Sequence, residues 1–479
     1  MKIKETKEIS YKQQKQFASL SGDFNPIHLN PNIARRELFG NIVVHGMHLI
    51  LSALETFAFQ NKTQKHILID SLKAKFFSPA SVGKPLKFII EYDEKLIKIE
   101  IRDIKRSLLA EMFINYRSEK YTAGEIINKK IKVSQPENIN IKKSIGLKGE
   151  LPLFLDKELR EILFPSLHKL ADIQLAEILV MTRIVGMKCP GKQSLFTGVN
   201  VVFEKSENKL VRYLSKNIVE KFSMATIGFE GPSLKGELST FFRPKSTIQP
   251  KIEKISENIP KNIFKEVNAL IIGGSRGIGE TTAKIIAAGG GKTVITYNLG
   301  KNDAENVCKE INDAGFSSKC FKIDIENFDN SLKEKIFEFG FNVIFYYPSP
   351  KIMASKKFDS QLFNNFLYYY VEQFENMIRQ VSLASIKDIV VFYPSTINIT
   401  ERTPEFTEYI MSKMAGEYLC DSLSNGYENI NIIVERLPRL QTDQTMNLQN
   451  KIAESTSSVM LPIVLKINKL ITSLKKSIK

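Results

Sequence analysis

The sequence predicts an α+β architecture for the first half of the chain and an α/β architecture, a doubly wound parallel sheet, for the second. Three observations predict it. Residues 1–118 place a long apolar helix after His45, in "GNIVVHGMHLILSAL", ahead of alternating strands such as "KPLKFIIEYD" and "LIKIEIRD". Residues 149–245 repeat that order, an apolar helix in "LADIQLAEILVMTRIVGMK" leading to strands that close with "LKGELSTFFRPK". From Val267 onwards the strand-like runs "VNALIIGG", "KTVITYN", "SKCFKID", "NVIFYY", "DIVVFYP" and "INIIVERL" alternate with helix-length segments, the pattern of a parallel sheet.

Two polar stretches separate these blocks. Residues 119–148, with "INKKIKVSQPENINIKKS", and residues 246–262, flanked and broken by Pro244, Pro250 and Pro260, read as linkers. The last block is then 263–479. A chain of 479 residues, 43% of them hydrophobic, is long enough for about three such domains.

Composition excludes several classes. The apolar runs are broken by Gly, His or Ser before they could cross a bilayer, and "MKIKETKEIS" lacks the apolar core of a signal peptide, so a cytoplasmic protein without stable membrane insertion is expected. Cys189, Cys308, Cys320 and Cys420 lie far apart, which fits a reducing compartment and no zinc module. Lysine and arginine outnumber aspartate and glutamate by 68 to 52, giving a net charge of +16. The lysines are spread along the chain with no aromatic-interleaved basic patch, so no nucleic-acid partner is expected. The basic tail "LKINKLITSLKKSIK" reads as a docked terminal helix.

The candidate chemistry begins at "SGDFNPIHLN". Asp23 and His28 stand five residues apart across the stiffening Pro26, so one loop offers a carboxylate and an imidazole for two proton transfers in one pocket. Asn25 can hydrogen-bond across the turn. His45 and His48 have H-x-x-H spacing, but no carboxylate or thiol nearby completes a metal set; they are read as structural and no metal is expected. The stretch "FASLSGDFNPIHLNPNIARRELFGNIVVHGM" resembles the motif of the MaoC-like (R)-specific enoyl hydratases and dehydratases of the hot-dog fold. That resemblance implies a catalytic Asp23–His28 dyad with Asn25 orienting the loop. It also implies that the Gly46 N–H, opening the long helix, meets a thioester carbonyl. Residues 149–245 look like a second, motif-less hot-dog unit that completes the pocket, making the first half a double hot-dog.

In "ALIIGGSRGIGETTAKIIAAGGGKTVITYN", Gly273, Gly277 and Gly279 lie between a buried strand and a helix, where glycines let the backbone approach a pyrophosphate at the helix N-terminus. With Ser275, Arg276 and Ile278 they form the expected cofactor turn. The whole resembles the short-chain dehydrogenases/reductases of the Rossmann fold, with Ile272 where that family carries threonine. Asn298 and Lys301 follow the second strand in place of an acid, and with Arg276 they favour a ribose 2′-phosphate, hence NADP(H). Asp324 matches the acid that meets adenine.

"YIMSK" sets Tyr409 and Lys413 one helical turn apart, where the ammonium can lower the phenol pKa and hold the ribose. Ser395 is the residue to polarise a carbonyl, with Thr396 as its rival. Pro438 and Thr442 fit the turn near nicotinamide, with Arg439 replacing a glycine. "YYPSP", Tyr346 to Pro350, replaces the family's "NNAG", and a catalytic asparagine is left open between Asn364 and Asn365.

Together the resemblances imply a bifunctional (R)-3-hydroxyacyl-thioester dehydratase/enoyl hydratase and NADPH-dependent 3-oxoacyl-thioester reductase. Its substrates would be carried on acyl carrier protein or coenzyme A, and a homo-oligomer is expected. Two alternatives stay open: a dehydratase with a catalytically silent Rossmann domain, and a non-catalytic scaffold that binds acyl carrier protein.

Overall fold

Ser10 and Gln13 start the first helix, Tyr11–Ser21, by a reciprocal cap in which the Ser10 hydroxyl accepts the Gln13 N–H and the Gln13 side chain accepts the Ser10 N–H. Gly22, left-handed at φ 76°, ends that helix and turns the chain into Asp23. Asn25 then caps a single 3-10 turn, Pro26–His28, its side chain accepting the Ile27 N–H. The computed structural model describes residues 1–61, 66–119, 126–327, 334–335, 338–355, 357–385, 387–446 and 453–477. It divides into two units, Met1–Lys245 and Ser246–Lys479.

The first unit holds one antiparallel sheet of ten strands. Its first five are β1 (Lys2–Glu8), β2 (His66–Phe76), β3 (Pro85–Tyr92), β4 (Leu96–Arg102) and β5 (Leu108–Glu119). The second five are β6 (Lys148–Leu151), β7 (Ser194–Val202), β8 (Val211–Val219), β9 (Met224–Glu230) and β10 (Lys235–Phe242). The order β1-β3-β4-β5-β2-β7-β10-β9-β8-β6 reads the same from either edge, so each half places its first strand outermost and its second at the centre. The halves join where β2 pairs with β7, from Ser71 opposite Val202 to Lys75 opposite Gly198.

Each half inserts one apolar helix between its first two strands, Gly46–Gln60 and Asp172–Arg183, and both pack into one continuous core. The repeat extends to the loops. A 3-10 turn, Pro165–Lys169, precedes the second helix with Phe164 and His168 spaced like Phe24 and His28, but Leu163 stands where the first half has Asp23. The second helix runs on into one π-helical turn, Ile184–Lys188.

The described part of the expected first linker does not run free. The Glu137 N–H donates to the Met187 carbonyl, its own carbonyl accepts the Lys192 N–H, and its carboxylate pairs with Lys188 at 2.7 Å. Residues 120–125 of that stretch lie outside the described residues.

The second unit is a six-stranded parallel sheet. Its strands are β11 (Asn268–Ile272), β12 (Lys292–Tyr297), β13 (Ser317–Lys322), β14 (Val343–Tyr346), β15 (Ile389–Thr396) and β16 (Ile430–Leu437), in the order β13-β12-β11-β14-β15-β16. That is the doubly wound order with its reversal beside β11, where ligands of open α/β sheets sit. Apolar clusters cover both faces, which is why the central strands read as unbroken hydrophobic runs.

The second expected linker is also packed: Ile252, Ile255 and Ile259 are buried in this unit's core, and Gln249 bonds Thr281, Thr456 and the Gln441 carbonyl. The C-terminal helix, Thr456–Ser477, sets Met460, Val464, Ile467 and Ile471 into the same core. Contrary to the sequence expectation, it is long and apolar enough to span a bilayer by length and composition, at mean hydropathy 1.3 in its best window.

Phe57, on the Gly46–Gln60 helix, is fully buried between the ring edges of Tyr92 and Tyr116, with centroids 5.0 and 5.3 Å away. Phe57→Ala leaves a cavity costing about 3–5 kcal/mol. The first unit's unfolding temperature should fall by roughly 6–20 °C, read by calorimetry; a shift under about 2 °C would refute this account of the core.

Candidate active sites

In the first unit the caps described above deliver Asp23, Asn25 and His28 to the mouth of the Gly46–Gln60 helix. Asp23 is 1% exposed. Its carboxylate accepts the Asn25 N–H at 3.1 Å and the Thr182 hydroxyl at 2.6 Å, and burial pushes it up to about 6 against both hydrogen bonds. The Asn25 amide donates to the carbonyls of Gly186 and Gly191 at 3.1 and 2.9 Å, so it ties the loop to the second half of the sheet.

Gly186, inside the π-helical turn, is a glycine because a Cβ there would come within 2.2 Å of the Asp23 carboxylate. Arg243 fastens the same corner. It donates to the carbonyls of Ser194 and Lys192 and pairs, buried, with Glu37.

His28 donates from Nδ1 to the Val43 carbonyl at 2.8 Å, which leaves Nε2 as the lone-pair nitrogen facing the site. Burial, aided by the positive Arg243, lowers it to about 4 despite that bond, so the ring is neutral at pH 7. The His45 ring stacks on it with centroids 3.8 Å apart, and Asp23, His28 and His45 each place a ligand-type atom within 4.8 Å of the others. The expectation that no carboxylate stands near the histidines is thereby corrected, since the fold brings Asp23 to them. Both His45 nitrogens are engaged, Nε2 with the Asp23 carbonyl at 3.1 Å and Nδ1 with the Gln14 amide at 2.9 Å. Gly46 opens its helix with no side-chain cap, and a Cβ on it would lie 2.8 Å from the Phe76 ring. This end of the helix therefore offers backbone N–H groups beside the dyad.

In the second unit the cofactor turn closes as the glycine spacing requires. Gly273 has φ +81°, and a Cβ on Gly279 would lie 2.4 Å from the Gly273 carbonyl. Ser275 is buried, Arg276 precedes the Gly277–Ala288 helix, and Ile278 packs on the core. Thr442 lies against Gly277, just beyond the partly buried Pro438. Arg439 donates to the Thr445 carbonyl. Asn298 and Asp324 meet at 3.2 Å across the ends of β12 and β13. Arg276 pairs with Asp443 at 3.3 Å, and Lys301 with Glu305 at 3.7 Å on the surface. The "YYPSP" turn takes its place by backbone: Tyr347 and Pro348 lie against Gly273, while the Tyr347 hydroxyl meets Thr282 at 2.8 Å.

Two expectations about the reductase site need correction. Ser395 does not face Tyr409. Adjacent strand residues point to opposite faces, and Ser395 donates to Glu417, itself held by Arg436, whereas the Thr396 hydroxyl bonds the Tyr409 phenol. Nor does Lys413 lower that phenol. Its ammonium donates to the Pro394 carbonyl at 2.6 Å and sits 3.8 Å over the Tyr370 ring and 4.7 Å from that of Tyr393. Burial brings Lys413 down to about 7 and pushes Tyr409 up to about 12. Asn364 and Asn365 are both exposed on the Ser360–Leu367 helix, and the side chain that enters the site is Tyr370, from the π-helical turn Tyr368–Glu372.

Thr182, Gly186, Gln14 and Tyr370 were not picked out from the sequence. A glycine within the apolar run "RIVGMK" was the one local signal for the first pair. Gln14 falls in helical phase with buried Phe17, Ala18 and Ser21.

Comparison with known proteins adds the families. No curated protein matches the chain. Similarity to solved structures extends to FolM alternative dihydrofolate reductase 1 from Brucella suis in complex with NADP, at 18% identity over 37% of this chain and 76% of that one, TM-score 0.34. It extends also to acetoin dehydrogenase YohF from Salmonella typhimurium, at 13% identity over 41% and 88%, TM-score 0.36. A short-chain dehydrogenase/reductase from Serratia marcescens matches at 17% identity over 42% and 89%, TM-score 0.37. Residues 1–110 match the family described as MaoC like domain, and residues 267–338 match short chain dehydrogenase. The chain thus carries a MaoC-like domain at its N-terminus and a short-chain dehydrogenase domain at its C-terminus.

Proposed function

We propose that the first unit is a double hot-dog that adds water to an enoyl thioester, or removes it from the (R)-3-hydroxyacyl thioester, with the acyl group on acyl carrier protein or coenzyme A. The observation that carries this is the convergence of the Asp23 carboxylate and the free His28 Nε2 beside the uncapped helix end at Gly46. In hydration the dyad takes a proton from water as its oxygen bonds to C3, and a proton is returned to C2. The helix-end N–H groups stabilise the charge that gathers on the thioester oxygen between the two events. The excess of positive charge suits an acidic carrier or the phosphates of coenzyme A.

The second unit is proposed as the reductase of the matching 3-oxoacyl thioester. Its glycine turn, which a Cβ would fill, suits a dinucleotide pyrophosphate, with Arg276, Asn298 and Lys301 toward a 2′-phosphate and Asp324 toward adenine. When bound, NADPH supplies a hydride; Tyr409 supplies the proton and Thr396 orients it. One observation favours a second reading, a silent reductase: Lys413 is held on the rings of Tyr370 and Tyr393 rather than set to acidify Tyr409.

Asp23→Asn and His28→Ala should each lower hydration of a crotonyl thioester by at least about 100-fold while leaving any ketoreduction unchanged. Near-wild-type hydration in either would remove the dyad assignment.

Asp23→Asn also carries a stability signature. The carboxyl is higher in the folded state, about 6, than its ordinary 3.8, so the folded state binds more protons and stability falls as pH rises through that window. The isosteric amide escapes a cost of roughly 3 kcal/mol that is absent at about pH 3, below both values, and complete at about pH 7.5. Calorimetry should find the variant more stable than wild type at about pH 7.5 and equal to it at about pH 3; the same gap at both would refute the burial effect.

For the second unit, NADPH-dependent reduction of an acetoacetyl thioester is expected, and it should be lost in Tyr409→Phe with NADPH binding retained. Saturable NADPH binding without any reduction would decide for the silent reading.

A further inference from the structure

Two imidazoles flank one carboxylate in the first unit, and proton transfer through His28 requires that His45 should not compete for the proton. Gln14 separates them. Its Nε2 donates to the Val43 carbonyl at 3.0 Å, which fixes which end of the amide is nitrogen, and the same Nε2 lies 2.9 Å from His45 Nδ1. An amide nitrogen only donates, so His45 Nδ1 must be the lone-pair nitrogen. The ring's one proton is then on Nε2, which points at the Asp23 carbonyl, an acceptor only, at 3.1 Å.

Gln14 Oε1 in turn accepts from His48 Nδ1 at 3.0 Å, so every polar atom of this buried side chain is matched. A second proton on His45 would set one N–H against another. His28 bears no such restriction, because its Nδ1–H goes to the Val43 carbonyl. The groups facing His45 are Asp23, His28 and His48, with Phe17 against its ring. The next charge, Arg243, acts on His28 and is matched by Glu37.

We infer that Gln14 is a positioning residue that holds His45 uncharged with its proton on Nε2, so that of the two stacked rings only His28 exchanges the catalytic proton. This rests on the hydratase reading above.

The full-length protein, labelled with 15N-histidine, tests the inference directly, since the chain has only five histidines. Long-range 1H–15N spectra at pH 7 should show His45 protonated at Nε2 alone and His28 at Nδ1 alone. Gln14→Glu, which turns the donor into an acceptor, should make His45 doubly protonated and lower kcat for crotonyl thioester hydration by about tenfold, the scale of one buried hydrogen bond, with KM within about twofold. Gln14→Met, which keeps the length and removes the donor, should lower kcat likewise. A proton on His45 Nδ1 in wild type overturns the inference whether or not the enzyme turns over, and so does unchanged kcat in both variants. If Gln14→Glu fails to fold, the wild-type spectrum and Gln14→Met decide. A wild-type protein with the expected tautomers but no hydration would instead defeat the hydratase reading.

Discussion

A carboxylate removed from water must find hydrogen-bond donors or lose its charge, and Asp23 finds its side-chain donor 159 residues away, in the hydroxyl of Thr182. That contact exists only because β2 and β7 pair at the centre of a continuous sheet and bring the helix of the second half alongside the loop of the first. The other features of the corner serve the same closure. Gly186 leaves room for the carboxylate, the Asn25 amide reaches across to the turn beyond that helix, and Arg243 with Glu37 holds the strand end against the loop. The second half thus contributes to the centre without a copy of the motif. Its own 3-10 turn keeps His168 but has Leu163 in the acid position, so the repeat has one complete dyad.

What the sequence made legible was the chemistry written in consecutive residues. Asp23, Asn25, Pro26 and His28 are joined by local caps and turns, whose geometry follows from residue type and spacing alone, and the glycine turn of the second unit is legible for the same reason. What was hidden depends on contacts between distant segments. Thr182 sits in an apolar helix like many other threonines, and nothing around it announces a carboxylate partner. Gln14 follows Gln13 in sequence, yet one caps the helix at its surface and the other is buried between His45 and His48; helical phase distinguishes them only once the buried face is known. The same reason explains why His45 read as structural. Its stacking on His28 comes from the approach of two loops.

In the reductase half the hidden part is a matter of phase. Ser395 and Thr396 are neighbours on β15, and a strand sends neighbours to opposite faces, so the order of motifs could not decide between them. Pairing of β15 with β16 decides it by carrying Ser395 toward Glu417 and Arg436. Tyr370 was concealed by the π-helical turn on which it lies, because a turn of that kind breaks the 3.6-residue period from which a facing residue would be read. The four-residue spacing of Tyr409 and Lys413 did place both on one face of a helix. Spacing does not fix where a long, flexible stem ends, and here two aromatic rings and the Pro394 carbonyl receive it.

Burial acts on both sites but with different consequences. In the first unit it raises Asp23 and lowers His28, to about 6 and about 4, which reverses their ordinary order and leaves the ring a neutral lone-pair acceptor beside the carboxyl. That reversal needs no ligand; it comes from the closure of the sheet on the loop. In the second unit burial raises Tyr409 to about 12 and lowers Lys413 to about 7, which drives the two apart, and the amine that would stabilise a phenolate lies over other rings. Only Thr396 opposes the rise of the phenol. The acid of the second site therefore lacks the neighbouring charge that would make it a ready donor, while the dyad of the first is already set between its partners. The electrostatic arrangement of the chain is more complete at the water-transferring centre than at the hydride-accepting one.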